Sequence, residues 1–104
     1  MIITTWNINS IKVRLHAVLQ YLSEFAPDVL VLQETKTIDD NFPKDEIIDA
    51  GYHVTYYGQK TYNGVAIISK KKPSFVDYNP VKTTANEARS LTVNVSGITI
   101  VNLY

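Results

Sequence analysis

A single glutamate, Glu34, follows the apolar run at residues 29–32 after one intervening glutamine. Asn7 follows a second apolar and β-branched run, residues 2–6, in the same way. If these runs are neighbouring strands of one sheet, both side chains emerge at the same rim, the usual place for sites in α/β sheets. One carboxylate and one amide oxygen suit Mg²⁺, which keeps several waters and takes further ligands from substrate phosphate. The pair therefore indicates metal-assisted hydrolysis of a phosphodiester.

Each of these residues also has an ordinary structural explanation. A glutamate at the end of a strand is more often a solvated strand end or a helix-cap partner than a metal ligand. An asparagine after a strand is common turn chemistry. The pair is more informative than either member alone. The two histidines, His16 and His53, have no partner pattern, and we interpret both as surface residues without a catalytic role.

Length and composition limit the kinds of protein that this chain can be. It has 104 residues, of which 45% are apolar, and this suits one globular domain. Ten Lys plus Arg balance ten Asp plus Glu, so bulk charge gives no support to nucleic-acid binding. Disulfides and thiolate metal sites are excluded because there is no cysteine. With no signal-peptide pattern and no apolar run near ~20 residues, we expect a soluble, cytoplasmic protein.

The hydrophobic pattern predicts an α/β fold that ends in mostly antiparallel strands. Strand, helix and strand over the first 33 or so residues predict two parallel strands joined by a crossover helix. The run at 29–32 is continuously apolar, so both faces of that strand are expected to be covered. The last strand is apolar on both faces, and we expect its sheet to continue beyond residue 104. The predicted helices are residues 11–26 and 44–50, and the predicted strands are 2–6, 29–32, 52–57, 64–69, 75–78, 91–95 and 98–104.

Five motifs together resemble the exodeoxyribonuclease III family, in order and in spacing. They are Thr-Trp-Asn-Ile-Asn-Ser at 5–10, the segment 27–36 with Leu-Gln-Glu-Thr-Lys, the segment 58–66 with Thr-Tyr-Asn-Gly-Val-Ala, Glu-Ala-Arg at 87–89 and Val-Asn-Leu-Tyr at 101–104. Asn7 and Glu34 alone fit the wider endonuclease/exonuclease/phosphatase superfamily. The segment 58–66 and Arg89 point to its DNA-repair branch. The resemblance covers the whole chain but only the N-terminal part, somewhat under half, of the family's length.

The resemblance implies one half of a four-layered helix-sheet-sheet-helix fold with a mixed, mostly antiparallel sheet. Residues 1–104 would then be the N-terminal part of a single domain whose C-terminal half is absent. In that case the chain supplies one sheet and its helices, and the inner face of the sheet is bare. We therefore expect the isolated chain to self-associate through that face, whereas the intact protein is expected to be a monomer.

The same resemblance implies a Mg²⁺-dependent enzyme, with Mn²⁺ as a substitute, that acts on double-stranded DNA. Such an enzyme cleaves DNA 5′ to abasic sites and degrades duplex strands from the 3′ end. The residues that position and activate the attacking water lie further along the family's sequence. Because a positioned general base contributes about 10²–10⁴-fold, we expect the isolated 104 residues to be inactive or nearly so.

Four residues of the candidate site take their roles from the resemblance. Glu34 would be a metal ligand, and Asn7 would be a direct or indirect partner at the metal. Lys36 would hydrogen-bond to Glu34 and orient it, and it would also bind substrate. Tyr104 would be the active-site tyrosine that contacts the scissile phosphate, although a tyrosine that ends an apolar strand is by default a core or terminal residue.

Three more residues are predicted by the resemblance to bind substrate. Tyr62 and Asn63 match a loop that contacts the DNA backbone, and Arg89 matches a residue near the bound DNA. Without the resemblance, Tyr62-Asn63-Gly64 would be interpreted as a hairpin turn and Arg89 as a surface ion-pair partner of little energetic value.

Two other functions remain open from the sequence. One is a non-catalytic half-fold that acts as an association or DNA-contact module. The other is a phosphodiesterase of the same superfamily that acts on lipid or inositol phosphates, although the segment 58–66 argues against it.

Overall fold

The computed structural model describes residues 1–82 and 85–104. Within them, every predicted helix and strand is present to within two residues, and one short 3₁₀ turn, Asp39–Asn41, was not predicted. Neither helix of this described part is long and apolar enough to cross a membrane. The elements are β1 (Ile3–Asn7), α1 (Ile11–Phe25), β2 (Val29–Gln33), α2 (Lys44–Asp49), β3 (His53–Tyr57), β4 (Val65–Ser69), β5 (Phe75–Tyr78), β6 (Ser90–Val95) and β7 (Ile98–Leu103).

The strands form two separate sheets. The major sheet has the order β1-β2-β4-β3, and the minor sheet has the order β5-β6-β7. β1 and β2 run parallel, with Asn7 opposite Gln33, while the other pairs are antiparallel. The predicted α/β class and the mixed, mostly antiparallel character of the sheets are therefore confirmed.

Helix α1 is the crossover between the two parallel strands. Ser10 caps it, since its hydroxyl accepts a hydrogen bond from the Val13 backbone N–H at 3.3 Å. The helix ends at Ala26, which adopts a left-handed conformation with φ of 44° immediately before Pro27. Its inward face matches the predicted apolar stripe, with Ile11, Val18 and Leu22 buried.

Strand β2 lies between two apolar clusters. Leu30 and Leu32 pack with the helices, whereas Val29 and Val31 pack against the minor sheet. Successive side chains of a strand point to opposite faces, so a strand covered on both sides needs a continuously apolar sequence. The sequence-based prediction for this strand is confirmed.

The expectation of a bare inner face on the major sheet is wrong for β2 and β4. The inward residues Leu91, Val93 and Ile100 of the minor sheet pack with the apolar residues of these two strands. The β1 edge of that face stays open, where Ile3 is 46% exposed. The exposed apolar residues of β7 lie instead on the outer face of the minor sheet, where Val101 is 52% exposed and Leu103 is 59% exposed.

Candidate active site

Asn7 and Glu34 meet at the carboxyl ends of the parallel pair β1 and β2. The Asn7 Nδ2 group donates a hydrogen bond to Glu34 Oε1 at 2.7 Å, across 27 residues of sequence. The Asn7 Oδ1 atom accepts one from the backbone N–H of Asn9 at 3.2 Å. The amide is therefore held at both ends, and it fixes the direction in which the Glu34 carboxylate points.

The turn that carries Glu34 has an unusual backbone. Glu34 and Lys36 are left-handed, with φ of 60° and 54°, a conformation that costs a non-glycine residue about 1–3 kcal/mol. The turn is held on two sides. The Ser10 N–H donates to the Glu34 carbonyl at 2.8 Å, and the Lys36 N–H donates to the Asn63 carbonyl at 2.9 Å. Strain that is held in this way is typical of functional sites.

Neighbouring donors keep the Glu34 carboxylate ionised. The hydrogen bond from Asn7 lowers its pKa most, and the Tyr104 hydroxyl and Lys36 lower it further. Lys36 Nζ lies 3.3 Å from Glu34 Oε2 and also hydrogen-bonds to Asn9 Oδ1. The hydrogen bond between Tyr104 and Glu34 also raises the pKa of Tyr104, because the Tyr104 hydroxyl donates to an anion. At neutral pH the site therefore presents one carboxylate oriented by neutral and cationic donors.

Arg89 holds the Tyr104 end of the site. Its guanidinium carbon lies 5.2 Å from the centre of the Tyr104 ring, within cation–π range. Arg89 Nη1 donates to the Tyr104 carbonyl at 3.2 Å, and the Tyr104 N–H donates to the Arg89 carbonyl at 2.8 Å. Arg89 Nη2 also lies 3.2 Å from Glu87 Oε2. These contacts fix both the backbone and the ring of Tyr104.

The two predicted loop residues, Tyr62 and Asn63, differ in their exposure to solvent. Asn63 is only 7% exposed, and its amide donates to Gln59 Oε1 and to Glu87 Oε2, each at 3.1 Å. Tyr62 is 68% exposed and projects from the same loop. Six of the seven predicted site residues are thus linked by hydrogen bonds, ion pairs or ring contacts, directly or through Glu87, and Tyr62 lies beside them. The six are Asn7, Glu34, Lys36, Asn63, Arg89 and Tyr104. Contact of Tyr62, Asn63 and Arg89 with DNA stays a prediction.

Sequence reasoning missed the residues that support this set. Gln59 accepts from the Ala88 N–H at 2.7 Å as well as from Asn63, and nothing in its local pattern distinguishes it. Glu87 was placed in a motif without a role. Asn102 did carry a signal, because it occupies the position two residues after Ile100 on the inward, apolar side of β7.

Glu87 gives a prediction for the pH dependence of stability. Hydrogen bonds to Arg89, the largest cause, and to Asn63 lower its pKa below the ordinary value of 4.5. A carboxyl group with a lowered pKa in the folded state stabilises the protein at neutral pH, and this stabilisation is lost as the pH falls below about 4.5. We expect Glu87→Gln to flatten the acidic limb of the curve of unfolding free energy against pH, measured by urea unfolding.

The control for that experiment is the same substitution at Glu24, an exposed residue of α1. A wild-type acidic limb in Glu87→Gln, or equal flattening in Glu24→Gln, would contradict the assignment.

The side-chain oxygen atoms at the carboxyl ends of β1 and β2 are of the chemical type that binds Mg²⁺. Glu34 supplies an ionised oxygen donor, and Mg²⁺ is commonly held by one or two carboxylates together with waters and substrate phosphate. Among residues 1–82 and 85–104, no three His, Cys, Asp or Glu side chains are grouped to hold a metal. A Mg²⁺ ion held by Glu34 would take its remaining ligands from water and substrate phosphate.

The two sheets pack as a sandwich that carries a carboxylate, an amide and a tyrosine at its strand ends. The sequence profile of the Endonuclease/Exonuclease/phosphatase family matches residues 4–104, and the chain belongs to this family.

Known relatives are similar to the chain over only part of their own length. Exodeoxyribonuclease III of Haemophilus influenzae is 38% identical over 72 residues, which are 69% of this chain and 27% of that protein. The 3′-5′ exonuclease from Neisseria meningitidis is 44% identical with a TM-score of 0.95, and an AP endonuclease from Archaeoglobus fulgidus is 40% identical with a TM-score of 0.92. Each match covers all of this chain and 41% of the solved one. The predicted resemblance to somewhat under half of the family's length is confirmed.

Proposed function

We propose that this chain is the N-terminal part of a Mg²⁺-dependent DNA repair nuclease that hydrolyses phosphodiester bonds as a 3′-5′ exonuclease and abasic-site endonuclease. The observation that carries the proposal is the hydrogen-bonded set of Asn7, Glu34 and Tyr104 at the carboxyl ends of β1 and β2. The similar proteins whose names include exodeoxyribonuclease III and AP endonuclease support DNA as the substrate.

Each residue of the set has a defined task in this proposal. Glu34 would hold Mg²⁺, and Asn7 would orient the Glu34 carboxylate toward it. A bound divalent cation polarises a phosphoryl oxygen and stabilises charge that develops in the transition state. Tyr104 has 41% of its surface exposed, and on substrate binding its single hydroxyl proton would move from its hydrogen bond with Glu34 to one with the phosphate. Lys36 would hold the second Glu34 oxygen and contribute positive charge beside the phosphate.

We propose further that the group which activates the attacking water lies outside these 104 residues. The described histidines, His16 and His53, are both exposed and away from the Glu34 turn, on α1 and at the start of β3. The chain spans less than half the length of the relatives that it matches. The isolated chain would then bind but not cleave DNA.

A chimera tests this proposal. Residues 1–104 replace the corresponding N-terminal part of the Neisseria meningitidis exonuclease, and the product is assayed on a labelled duplex that carries one abasic-site analogue. We expect Mg²⁺-dependent cleavage by the chimera, none in the presence of chelator and none by the 104-residue chain alone. A folded chimera without activity would contradict the nuclease assignment. Cleavage by the chain alone would contradict the absence of the water-activating group.

The alternative, a non-catalytic DNA-contact module, makes a different prediction. In that case duplex binding by the chimera is unaffected by chelator and by Glu34→Gln, and no cleavage occurs.

A basic cavity beside the candidate site supports phosphate binding. It has a volume of about 340 Å³, and none of its seven lining residues is acidic. Three lysines around one cavity are notable in a chain with no net charge. Phosphate contacts of this type fix the position of a duplex without reading its sequence. The lining residues are Lys12, Lys36, Thr37, Ile38, Asn41, Lys60 and Thr61.

We expect the double substitution Lys12→Gln and Lys60→Gln to weaken duplex binding by the chimera. The slope of log affinity against log salt concentration should fall by about two, because each lysine that neutralises a phosphate contributes about one. Fluorescence anisotropy over a salt series measures both quantities. The matched control is Lys70→Gln with Lys71→Gln, two exposed lysines after β4. Equal slope changes in the two double variants would mean that the effect is one of net charge only.

A further inference from the structure

The two sheets are joined mainly by apolar contact. No backbone ladder connects them, since the strand pairs fall into two separate sets. Across the interface, Val31 and Ile67 of the major sheet pack with Val93 and Ile100 of the minor sheet. Apolar contact is non-directional, so by itself it does not define how far β7 is displaced along β2.

Asn102 adds directional hydrogen bonds between the two sheets. It is 1% exposed, and its Nδ2 group donates to the carbonyls of Leu32 at 2.8 Å and of Ala66 at 3.1 Å. Its Oδ1 atom accepts a hydrogen bond from Gln33 Nε2 at 2.9 Å. Leu32 and Ala66 are paired across β2 and β4, so one side chain connects β7 to both central strands of the major sheet. Among the described residues, Asn102 is the only residue of β7 whose side chain makes such hydrogen bonds.

Asn102 and Tyr104 are two residues apart, and both contact the segment that runs from β2 into the Glu34 turn. Asn102 contacts Leu32, and two residues further along both segments Tyr104 contacts Glu34. Two residues of a strand advance about 6.6–6.8 Å and return to the same face. A displacement of β7 that kept its apolar face inward would therefore carry the Tyr104 hydroxyl away from the carboxylate by about that distance.

We infer that Asn102 is a positioning residue, which fixes β7 against β2 so that the Tyr104 hydroxyl reaches Glu34. Buried, fully satisfied polar groups have this kind of role in other packed structures, where they select one register among several that apolar packing permits. The effect of Asn102 on the reaction rests on the proposed nuclease function, but its effect on the position of Tyr104 does not.

Fluorine NMR of the 104-residue chain, labelled with 3-fluorotyrosine, measures that position directly. The chain has seven tyrosines, and the Tyr104 signal is the one that disappears in Tyr104→Phe. Glu34→Gln then gives the resonance frequency of Tyr104 when its contact with the carboxylate is altered. We expect Asn102→Leu to move the Tyr104 signal at least as far as Glu34→Gln does. Asn102→Thr keeps one donor and is the milder variant, and we expect it to move the signal by a smaller amount.

The matched control is Ser69→Ala. Ser69 is fully buried, and its hydroxyl donates to the Lys71 carbonyl at 2.7 Å, at the opposite end of β4. This variant loses a buried hydrogen bond but is expected to leave the Tyr104 signal in place. An unchanged Tyr104 signal in a folded Asn102→Thr or Asn102→Leu chain would overturn the inference. An equal shift in Ser69→Ala would overturn it as well, because the effect would then be one of general stability.

The chimera provides the catalytic test. We expect Asn102→Thr to lower kcat about tenfold, because a catalytic group displaced by an ångström or so loses at least this much. KM should change by less than about twofold, since Asn102 is buried and contacts no substrate. Ser69→Ala should change neither. If the unsubstituted chimera does not cleave DNA, the proposed function fails, and the NMR measurement still decides whether Asn102 positions Tyr104.

Discussion

Glu34→Gln is expected to lower the cleavage rate of the chimera about 10²–10⁴-fold, the change that corresponds to several kcal/mol of lost transition-state stabilisation. The substitution removes the negative charge that would hold Mg²⁺ while keeping a side chain of nearly the same shape. Gln can still pair with Asn7, so the turn at residues 34–36 should retain its conformation. Initial rates on the abasic duplex, at saturating substrate and at several Mg²⁺ concentrations, measure the effect.

Two controls separate loss of chemistry from loss of structure. Glu24→Gln makes the same change on the exposed surface of α1, and it should cleave at the parent rate. The Tm of Glu34→Gln should stay near that of the parent. Parental activity in Glu34→Gln would show that Glu34 does not hold the essential cation, and the proposed site would be wrong.

Gly64→Ala is expected to be strongly destabilising. Gly64 has φ of 95°, and a Cβ atom added there would lie 2.1 Å from Thr35 Oγ1. The left-handed conformation alone costs an alanine about 1–3 kcal/mol, and the clash adds to that cost. Thr35 cannot move freely, because its N–H donates to the Gly64 carbonyl at 3.2 Å and its side chain is buried. We expect a clear fall in the free energy of unfolding, measured with urea.

Gly51→Ala is the matched control for that measurement. Gly51 has φ of 92°, and nothing lies within 4 Å of an added Cβ atom. Its substitution therefore carries the conformational cost without the clash. The difference between the two variants reports how tightly the loop at residues 63–64 is packed on the Glu34 turn. Equal losses would mean that the loop and the turn can separate at little cost.

The sequence predicted the local elements of this fold better than their association. The continuous run of β2 and the stripe of α1 fixed both elements and their covered faces, because burial determines those patterns. The second sheet was not foreseen. The sequences of β6 and β7 predict two strands but do not show whether these extend the first sheet or pack across it, because side chains alternate between the two faces of a strand in either arrangement.

The candidate site was predictable where it depends on strand ends. Asn7 and Glu34 follow two strands joined by a crossover helix, and parallel pairing brings such positions together. The inclusion of Tyr104 depended on resemblance alone, since nothing near it in the sequence indicates that β7 crosses behind β2. The burial of Asn63 beside Glu87 could not be predicted either, because it depends on the fold of two distant loops.

The side chains of the site come from distant parts of the sequence. Asn7 and Glu34 are 27 residues apart, and the contact of Asn102 with Leu32 spans 70. We expect contacts of such long range to form late in folding, because the entropy of closing the intervening chain must be lost before they contribute any stabilisation. Partly folded chains, including those still emerging from the ribosome, would therefore lack the assembled site, and a chain that acquires it has already brought its first and last strands together.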